Sequence, residues 1–216
     1  SGPTRSGAPA ASDMDVLLAR GAGTRRRVRR GEYLYRLGAP FHALFGIRAG
    51  SFKSVLLTED GREQVTGFHM GGEVLGLDGI GSESYAGDAV ALEDSEVVEI
   101  PFEELDALAC REPALQRELF RMLAGEIQRE RSLMLLLGSM RAEERLAAFL
   151  INLSQRLCAR GFSAHRFLLR MTREEIGSLL GLKLETVSRI LSRFQLEGLE
   201  ARDGEPDPVA LPARRA

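Results

Sequence analysis

The stretch MTREEIGSLLGLKLETVSRILSRFQ, Met171–Gln195, holds two short amphipathic segments separated by a single glycine, Gly181. Thr172 followed three residues later by Glu175 is the capping-box pattern that begins a helix. The first helix is expected to end at Gly181 and the second at Gly198, because glycine commonly follows the last helical residue. Two helices joined by a short turn that contains glycine form a helix-turn-helix.

The second of these helices carries an acid, two hydroxyls and a guanidinium among aliphatic residues that are expected to be buried: Glu185, Thr186, Ser188 and Arg189. Glu185 and Arg189 are four residues apart and therefore share one helical face. They either form an ordinary ion pair on a solvated surface or make a reading face for a partner. Residues 141–200 contain ten Lys and Arg against seven Asp and Glu, a net charge of +3 that is compatible with phosphate contact.

The segments on either side of this pair extend the pattern. Residues 141–161 read as a further helix that ends on Gly161, and HRFLLRM reads as a short strand. LEARDGEPDPVAL is expected to form a hairpin, or wing, that turns at Asp203-Gly204. Pro206 and Pro208 are expected to confine its second strand to a sheet edge, because proline has no backbone N–H.

Upstream lies a predicted long helix, roughly residues 114–139, about 40 Å in length. Apolar positions alternate at spacings of three and four along one stripe, which is a coiled-coil seam. A second apolar face beside it indicates that the helix packs on two partners, its own domain and a second copy. The alternative is that the stripe packs only within the chain. The seam residues, predicted as the dimer interface, are Phe120, Leu123, Ile127, Glu130, Met134 and Leu137.

Glu130 is the polar member of this seam. In a parallel dimer its carboxylate would face its own symmetry mate, and like charges at that position oppose association. The alternative is that Glu130 turns outward and pairs with an arginine of the partner, Arg129 or Arg131.

Residues 24–101 have β character, with short runs such as SFKSVLL, EQVTGFHM and DSEVVEI between frequent glycines. Strands of this length with regular turn signals are typical of a sandwich or barrel. TEDGRE, residues 58–63, predicts a hairpin in which Asp-Gly supplies positive φ angles.

The composition limits the functional classes. The chain has 216 residues, 44% hydrophobic, with a net charge of −2 and two cysteines, Cys110 and Cys158, which suggests a reducing cytoplasm and no disulfide framework. No apolar run spans a bilayer, and residues 1–12 show no secretory pattern. Three scattered histidines and the lack of a nucleophile–base or phosphate-loop motif argue against an enzyme.

These motifs resemble the Crp/Fnr transcription regulators. The helix-turn-helix stretch carries the resemblance, and EERLAAFLINLS, EQVTGFHMGGEVLGLDGIGS and EIPFEELDAL resemble its fumarate/nitrate reduction (Fnr) branch. The resemblance implies an α+β fold with an N-terminal β-roll (a cyclic-nucleotide-binding-like jelly roll), a long dimerisation helix and a C-terminal winged helix-turn-helix. We expect a flexible leader and the start of the sensor domain at residues 1–20, the β-roll sensor at 21–112, the dimerisation helix at 113–140 and the winged helix-turn-helix DNA-binding domain at 141–216.

The resemblance also implies how the second helix is used. Members of the Fnr branch read the major groove with a Glu-x-x-Ser-Arg set, which here is Glu185, Ser188 and Arg189. The implied target is a TTGAT-N4-ATCAA palindrome bound by a homodimer, with Thr172 and Thr186 on phosphates. Leu184 stands where the cAMP-receptor branch tends to have arginine, which places the chain on the Fnr side. Double-stranded DNA and RNA polymerase are the implied partners, in the cytoplasm and without a membrane.

No cofactor is predicted. The cAMP-receptor pattern needs Gly-Glu for the ribose, which Gly72-Glu73 supplies, and an arginine about ten residues later, where Ser84, Tyr85 and Ala86 stand instead. An iron–sulfur cluster of the Fnr type is not expected, because residues 1–23 contain no cysteine and Val98 occupies the position of the fourth ligand.

Other sensing chemistry stays open. His42, His69 and His165 are available as haem ligands, although a structural role is the simpler interpretation for His69; Cys158 could be an oxidation switch. In Fnr, the loop that corresponds to LTEDGRE contacts RNA polymerase and ends in an acidic residue. This chain has Arg62 at that position. That charge reversal argues against activation through this loop and is compatible with repression at some sites.

Overall fold

The glycine-rich N-terminal segment folds into two antiparallel sheets of short strands. The computed structural model describes residues 17, 23–162, 166–196, 200–201 and 207–210. One sheet has the order β1-β8-β3-β6 and the other β2-β7-β4-β5. The strands are β1 (Thr24–Val28), β2 (Tyr33–Tyr35), β3 (Ala43–Ala49), β4 (Ser51–Leu57), β5 (Glu63–Met70), β6 (Val74–Leu75), β7 (Asp88–Ala91) and β8 (Ser95–Pro101).

A core of aliphatic and aromatic side chains fills the space between the two sheets. Phe45 and Ile47 of β3, Phe52 of β4 and Val97 of β8 are completely buried there. Strands present alternate side chains to opposite faces, so one face of each sheet lines this core. The predicted jelly-roll arrangement is confirmed.

The β4–β5 hairpin closes as a five-residue loop. The Thr58 amide donates to the Arg62 carbonyl at 2.9 Å, and Gly61 has φ +77°. The expectation that both Asp60 and Gly61 supply positive φ was wrong for Asp60, since only glycines have positive φ in the described part of the chain. The longer loop needs one left-handed residue, whereas a two-residue turn would need two.

Three helices follow the sheets: α1 (Phe102–Ala109), α2 (Pro113–Ser139) and α3 (Ala142–Cys158). Pro113 lies in the first turn of α2, where a missing backbone N–H costs nothing. Leu115, Leu119 and Met122 of α2 are buried against the β-roll and α1. Further along α2, Leu133 and Leu136 pack on the core of the C-terminal helices. The second apolar face predicted for this helix therefore packs within the chain.

The C-terminal segment forms β9 (Arg166–Leu169), α4 (Arg173–Leu180), α5 (Leu184–Leu196), β10 (Glu200–Ala201) and β11 (Asp207–Ala210). The three strands have the order β10-β11-β9. The expected edge position of the second wing strand was wrong: β11 is central, and Pro208 pairs with Leu168. The β10 ladder begins at Val209, so Pro208 itself has no partner in that strand. The predicted wing turn at Asp203-Gly204 and the helix end at Gly198 lie outside the described residues.

The C-terminal helices and the β-roll share one hydrophobic core. Val65, Phe68, Met70 and Leu92 of the β-roll join buried residues of α3, α4 and α5. The predicted α+β class, with a β-roll, a long helix and a helix-turn-helix, is confirmed. Among the described residues, no helix has both the length and the apolar composition that a membrane crossing requires.

Candidate nucleic-acid interface

Helix α4 begins with the capping box that its sequence predicts. The Thr172 hydroxyl accepts from the Glu175 amide at 3.1 Å, and the Glu175 carboxylate accepts from the Thr172 amide at 2.7 Å. Two amides that have no partner inside the helix are thereby satisfied. The Thr172 hydroxyl proton is not used in this bond, so it can still be donated to a phosphate oxygen.

Replacing Thr172 by alanine is expected to lower the free energy of unfolding by about 1 kcal/mol, because the Glu175 amide loses its acceptor. Urea denaturation would measure the change. Thr172→Ser keeps the hydroxyl and serves as the control. A loss of the same size in Thr172→Ser would show that the capping bond is not responsible.

The turn between α4 and α5 depends on two glycines. Gly181 has φ +63°, the left-handed conformation that ends α4. At Gly177, inside α4, a Cβ atom would lie 2.5 Å from the Leu182 carbonyl oxygen. The chain after the turn therefore passes so close to α4 that no side chain fits at Gly177. Sequence reasoning identified Gly181 but missed Gly177, whose signal was a glycine inside a helical pattern.

Helix α5 has one buried face and one free face. Val187, Ile190 and Leu191 are buried in the core of the C-terminal helices. The predicted reading residues lie away from this face: Glu185 and Arg189 are exposed, and Thr186 and Ser188 are half-buried. The structure thus brings Glu185, Ser188 and Arg189 onto one accessible surface.

The charged groups of α5 differ in their partners. Within the described residues, no ion pair joins Glu185 to Arg189, although the spacing permits one. Arg193, one turn after Arg189, bonds to Glu143 of α3, and this bond holds the pKa of Glu143 below its ordinary value. Leu184 leaves 45% of its surface exposed beside Glu185. The free face of α5 therefore offers an acceptor, a hydroxyl and a guanidinium.

The seam of α2 has a large exposed apolar surface. Phe120, Ile127 and Met134 are 60%, 50% and 71% exposed, and Glu130 is also exposed. The two remaining seam residues, Leu123 and Leu137, are half-buried. The described residues of this chain leave the stripe largely uncovered, and the alternative that the whole stripe packs within the chain does not hold.

A cavity of about 380 Å³ lies between the β-roll and α2. Its polar lining includes His69 and four carboxylates, those of Asp78, Asp88, Glu126 and Glu130, and its described lining contains no Lys or Arg. Negative charge without a cation disfavours an anionic ligand. The residues around this cavity do not fit the phosphate of a cyclic nucleotide.

Glu73, the residue expected at the ribose position, lies elsewhere. It does not line the cavity, and its carboxylate accepts bonds from Arg156 and Arg160 of the C-terminal part. Burial raises the pKa of Glu73, but the charge and hydrogen bond of Arg156, with His69 and Arg160, outweigh it and leave that pKa below its ordinary value. Gly72-Glu73 matches the ribose part of the cAMP-receptor pattern, but the carboxylate of Glu73 is already bound by Arg156 and Arg160.

Tyr85, at the expected phosphate position, is a core residue. Its ring stacks on Tyr35 with centroids 4.1 Å apart, and its hydroxyl donates to the Ala43 carbonyl at 2.9 Å. The side chain is buried between the two sheets.

The remaining candidate ligands are dispersed. Cys110 and Cys158 are exposed, Val98 is buried under α1 and α2, and His165 lies outside the described residues. His42 is near Glu99 at 3.2 Å, whereas His69 bonds to Ser54 at 2.7 Å. Burial lowers the pKa of His69 against the opposing charges of Glu73 and Glu126. Among the described residues, no three His, Cys, Asp or Glu side chains gather as a metal site would require.

Comparison with known proteins agrees with this architecture. Residues 25–112 match the model of the cyclic nucleotide-binding domain, and residues 144–214 match the Crp-like helix-turn-helix domain. The chain is 47% identical over 192 residues to the transcriptional activator protein anr of Pseudomonas aeruginosa, covering 89% of this chain and 77% of that protein. It is 46% identical over 181 residues to the fumarate and nitrate reduction regulatory protein of Escherichia coli, covering 84% and 72%.

A solved structure shows the same fold over most of the chain. FixK2 from Bradyrhizobium japonicum superposes with a TM-score of 0.80 at 34% identity, covering 88% of this chain and 93% of that one. The relatives are regulators of transcription and not enzymes. On the fold, the helix-turn-helix and these identities, the chain belongs to the Crp/Fnr family of transcription regulators.

Proposed function

We propose that the protein is a homodimeric transcription regulator that reads a TTGAT-N4-ATCAA palindrome through Glu185, Ser188 and Arg189. The observation that carries this proposal is the free face of α5. It presents these three side chains on the side of the helix opposite to the buried Val187, Ile190 and Leu191. An α-helix with such a face fits the major groove of B-DNA.

Each residue has a base edge that suits its chemistry. Arg189 donates two bonds to guanine O6 and N7, and Glu185 accepts from the amino group of cytosine. Ser188, between them and half-buried, reaches a thymine edge. Thr172 and Thr186 donate to phosphates, which position the protein without specifying sequence.

A palindrome requires two copies of the chain, and the exposed seam of α2 supplies the contact. Burial of Phe120, Ile127 and Met134 between two helices would remove a large apolar surface from water. With Leu123, Glu130 and Leu137 they would form the interface of a parallel helix pair.

The remaining functional assignments are part of the same proposal. The relatives named transcriptional activators support action on RNA polymerase in the cytoplasm, although Arg62 in the β4–β5 loop changes the charge of one expected contact surface. We propose that neither a cyclic nucleotide nor an iron–sulfur cluster is bound, because the cavity is acidic and the two cysteines, one just after α1 and one at the end of α3, cannot by themselves supply four thiolates.

The cavity itself supports a second candidate, in which a redox or small-molecule signal controls DNA binding. It lies against α2, and Glu130 and Met134 belong to both its lining and the seam. A ligand there would contact the dimer interface directly.

One titration tests both candidates. Protein purified without oxygen is titrated with the palindrome and with a scrambled duplex, before and after exposure to air, with its visible spectrum recorded. We expect a colourless protein that prefers the palindrome in both conditions. Equal affinity for the two duplexes would reject the sequence-specific reading, and a chromophore whose loss abolishes binding would establish the second candidate.

A further inference from the structure

We propose that Glu73 is a positioning residue that holds the DNA-binding helices at a defined angle to the β-roll and so sets the half-site spacing that a dimer accepts. The inference rests on the proposed reading of a palindrome by two copies of the chain. It concerns a contact that lies outside both the base-reading helix and the seam.

Glu73 stands in the turn between β5 and β6, where its side chain is buried. Its Oε2 atom accepts from Arg156 Nη2 at 2.7 Å, and its Oε1 atom accepts from Arg156 Nε at 3.1 Å and Arg160 Nη2 at 2.7 Å. The Met70 amide also donates to Oε2, at 3.1 Å. One carboxylate of the β-roll thus binds two guanidiniums from the C-terminal end of helix α3.

The two arginines also donate hydrogen bonds to backbone carbonyls of the β-roll. Arg156 donates to the Phe68 carbonyl at 2.6 Å, and Arg160 donates to the Gly71 carbonyl at 2.6 Å. The Arg160 guanidinium also donates to the Arg156 carbonyl at 2.6 Å. These bonds link the end of α3 to β5 and to the β5–β6 turn.

Helix α3 transmits this attachment to α5. Leu146, Leu150 and Leu153 of α3 are buried in one core with the helix-turn-helix. Arg145 of α3 donates to the Leu180 carbonyl at 3.1 Å, where α4 ends. A fixed end of α3 therefore fixes the direction in which α5 points.

A second attachment point completes the orientation. Lys53 of β4 and Glu175 of α4 form a 2.8 Å ion pair, and Ser178 Oγ accepts from the Val65 amide at 2.9 Å. Together with the shared hydrophobic core, two separated polar contacts restrict the angle between the β-roll and the helices more tightly than one contact does. Removal of the Glu73 charge leaves two half-buried guanidiniums without their counter-charge, which opens that end of the joint.

In a dimer the angle of this joint determines the distance between the two recognition helices, and that distance must match the spacing of the half-sites. A loosened joint populates the matching arrangement less often, and the apparent affinity for the palindrome falls by the same fraction. Binding of a single helix to a single half-site needs no such match.

Fluorescence anisotropy tests this with three duplexes: an isolated TTGAT half-site, the N4 palindrome, and a palindrome with two extra base pairs in its spacer. We expect Glu73→Gln to weaken N4 binding about tenfold, leave half-site binding almost unchanged and reduce the preference for the N4 spacer. Arg160→Gln, made from the other side of the contact, is expected to do the same. Glu96→Gln is the matched control, since Glu96 pairs with Arg48 within the β-roll at 3.1 Å.

A parallel loss on the half-site and the palindrome would overturn the proposal, because it would show a general loss of folded protein. An unchanged preference between the two spacers in Glu73→Gln would also overturn it. A wild-type protein that binds the palindrome no better than scrambled DNA would instead contradict the proposed function itself.

Discussion

Replacing Arg189 by alanine is expected to weaken binding to the TTGAT-N4-ATCAA duplex by about 1–3 kcal/mol, roughly 5- to 150-fold in affinity. The guanidinium is exposed on the free face of α5 and is not paired with Glu185, so it is available to make two bonds to guanine. Loss of a bidentate contact relaxes discrimination at one base pair. Titration of the specific duplex and of a duplex changed at that base pair would measure both effects.

Arg193→Ala is the matched control for this prediction. It removes the same charge from the same helix, but Arg193 bonds to Glu143. We expect it to change binding to specific and scrambled DNA by the same small factor, as loss of a nearby positive charge does. If Arg189→Ala also weakened both duplexes equally, Arg189 would be a phosphate contact and not a base-reading residue.

Glu130→Ala is expected to strengthen dimerisation by about 1–2 kcal/mol, because it removes a like-charge pair from the seam. Glu130 is exposed in the chain and lies between Ile127 and Met134, both of which are largely exposed. A parallel pairing of two such helices brings the two carboxylates together across the symmetry axis. Sedimentation equilibrium at several protein concentrations would measure the dimer dissociation constant.

Glu118→Ala gives the corresponding control, since Glu118 lies off the seam of α2 and bonds to Arg121. We expect it to leave the dissociation constant unchanged. A weaker dimer in Glu130→Ala would favour the other arrangement, in which Glu130 pairs with an arginine of the partner. An unchanged dimer would place the carboxylate outside the interface.

Stronger dimerisation of Glu130→Ala than of the wild-type protein has a consequence for DNA binding. A tighter dimer has a higher apparent affinity for the palindrome at low protein concentration, because a larger fraction of the protein is already dimeric before it binds DNA. The same variant is expected to leave half-site binding unchanged. These two readouts separate an effect on the seam from an effect on α5.

Several elements could be predicted from local sequence because local physics determines them. The capping box at Thr172 and Glu175 involves backbone groups within four residues, and the structure contains it. The strands β4 and β5 coincide with the runs SFKSVLL and EQVTGFHM, whose bounds are set by the flanking turns. The left-handed Gly181 likewise follows from helix-end geometry.

The wing shows where the same reasoning fails. Proline lacks a backbone N–H, and that property predicted an edge strand for β11. Whether the missing N–H matters depends on which neighbouring strand the proline faces. Strand β9 pairs with β11 on the side opposite to β10, so β11 is central and Pro208 lies opposite Leu168 of β9.

The sequence by itself determined the order of elements, the helix-turn-helix and the polar set on α5, because helical periodicity, caps and turns act over a few residues. Only the tertiary structure decided that Glu73 binds Arg156 and Arg160, which lie 83 and 87 residues away, and that Gly177 must leave room for the Leu182 carbonyl. Contacts of this kind form when distant segments pack, and a single sequence carries no pattern that announces which segments will meet. The burial of a charge and the close approach of two backbones are therefore properties of the folded molecule.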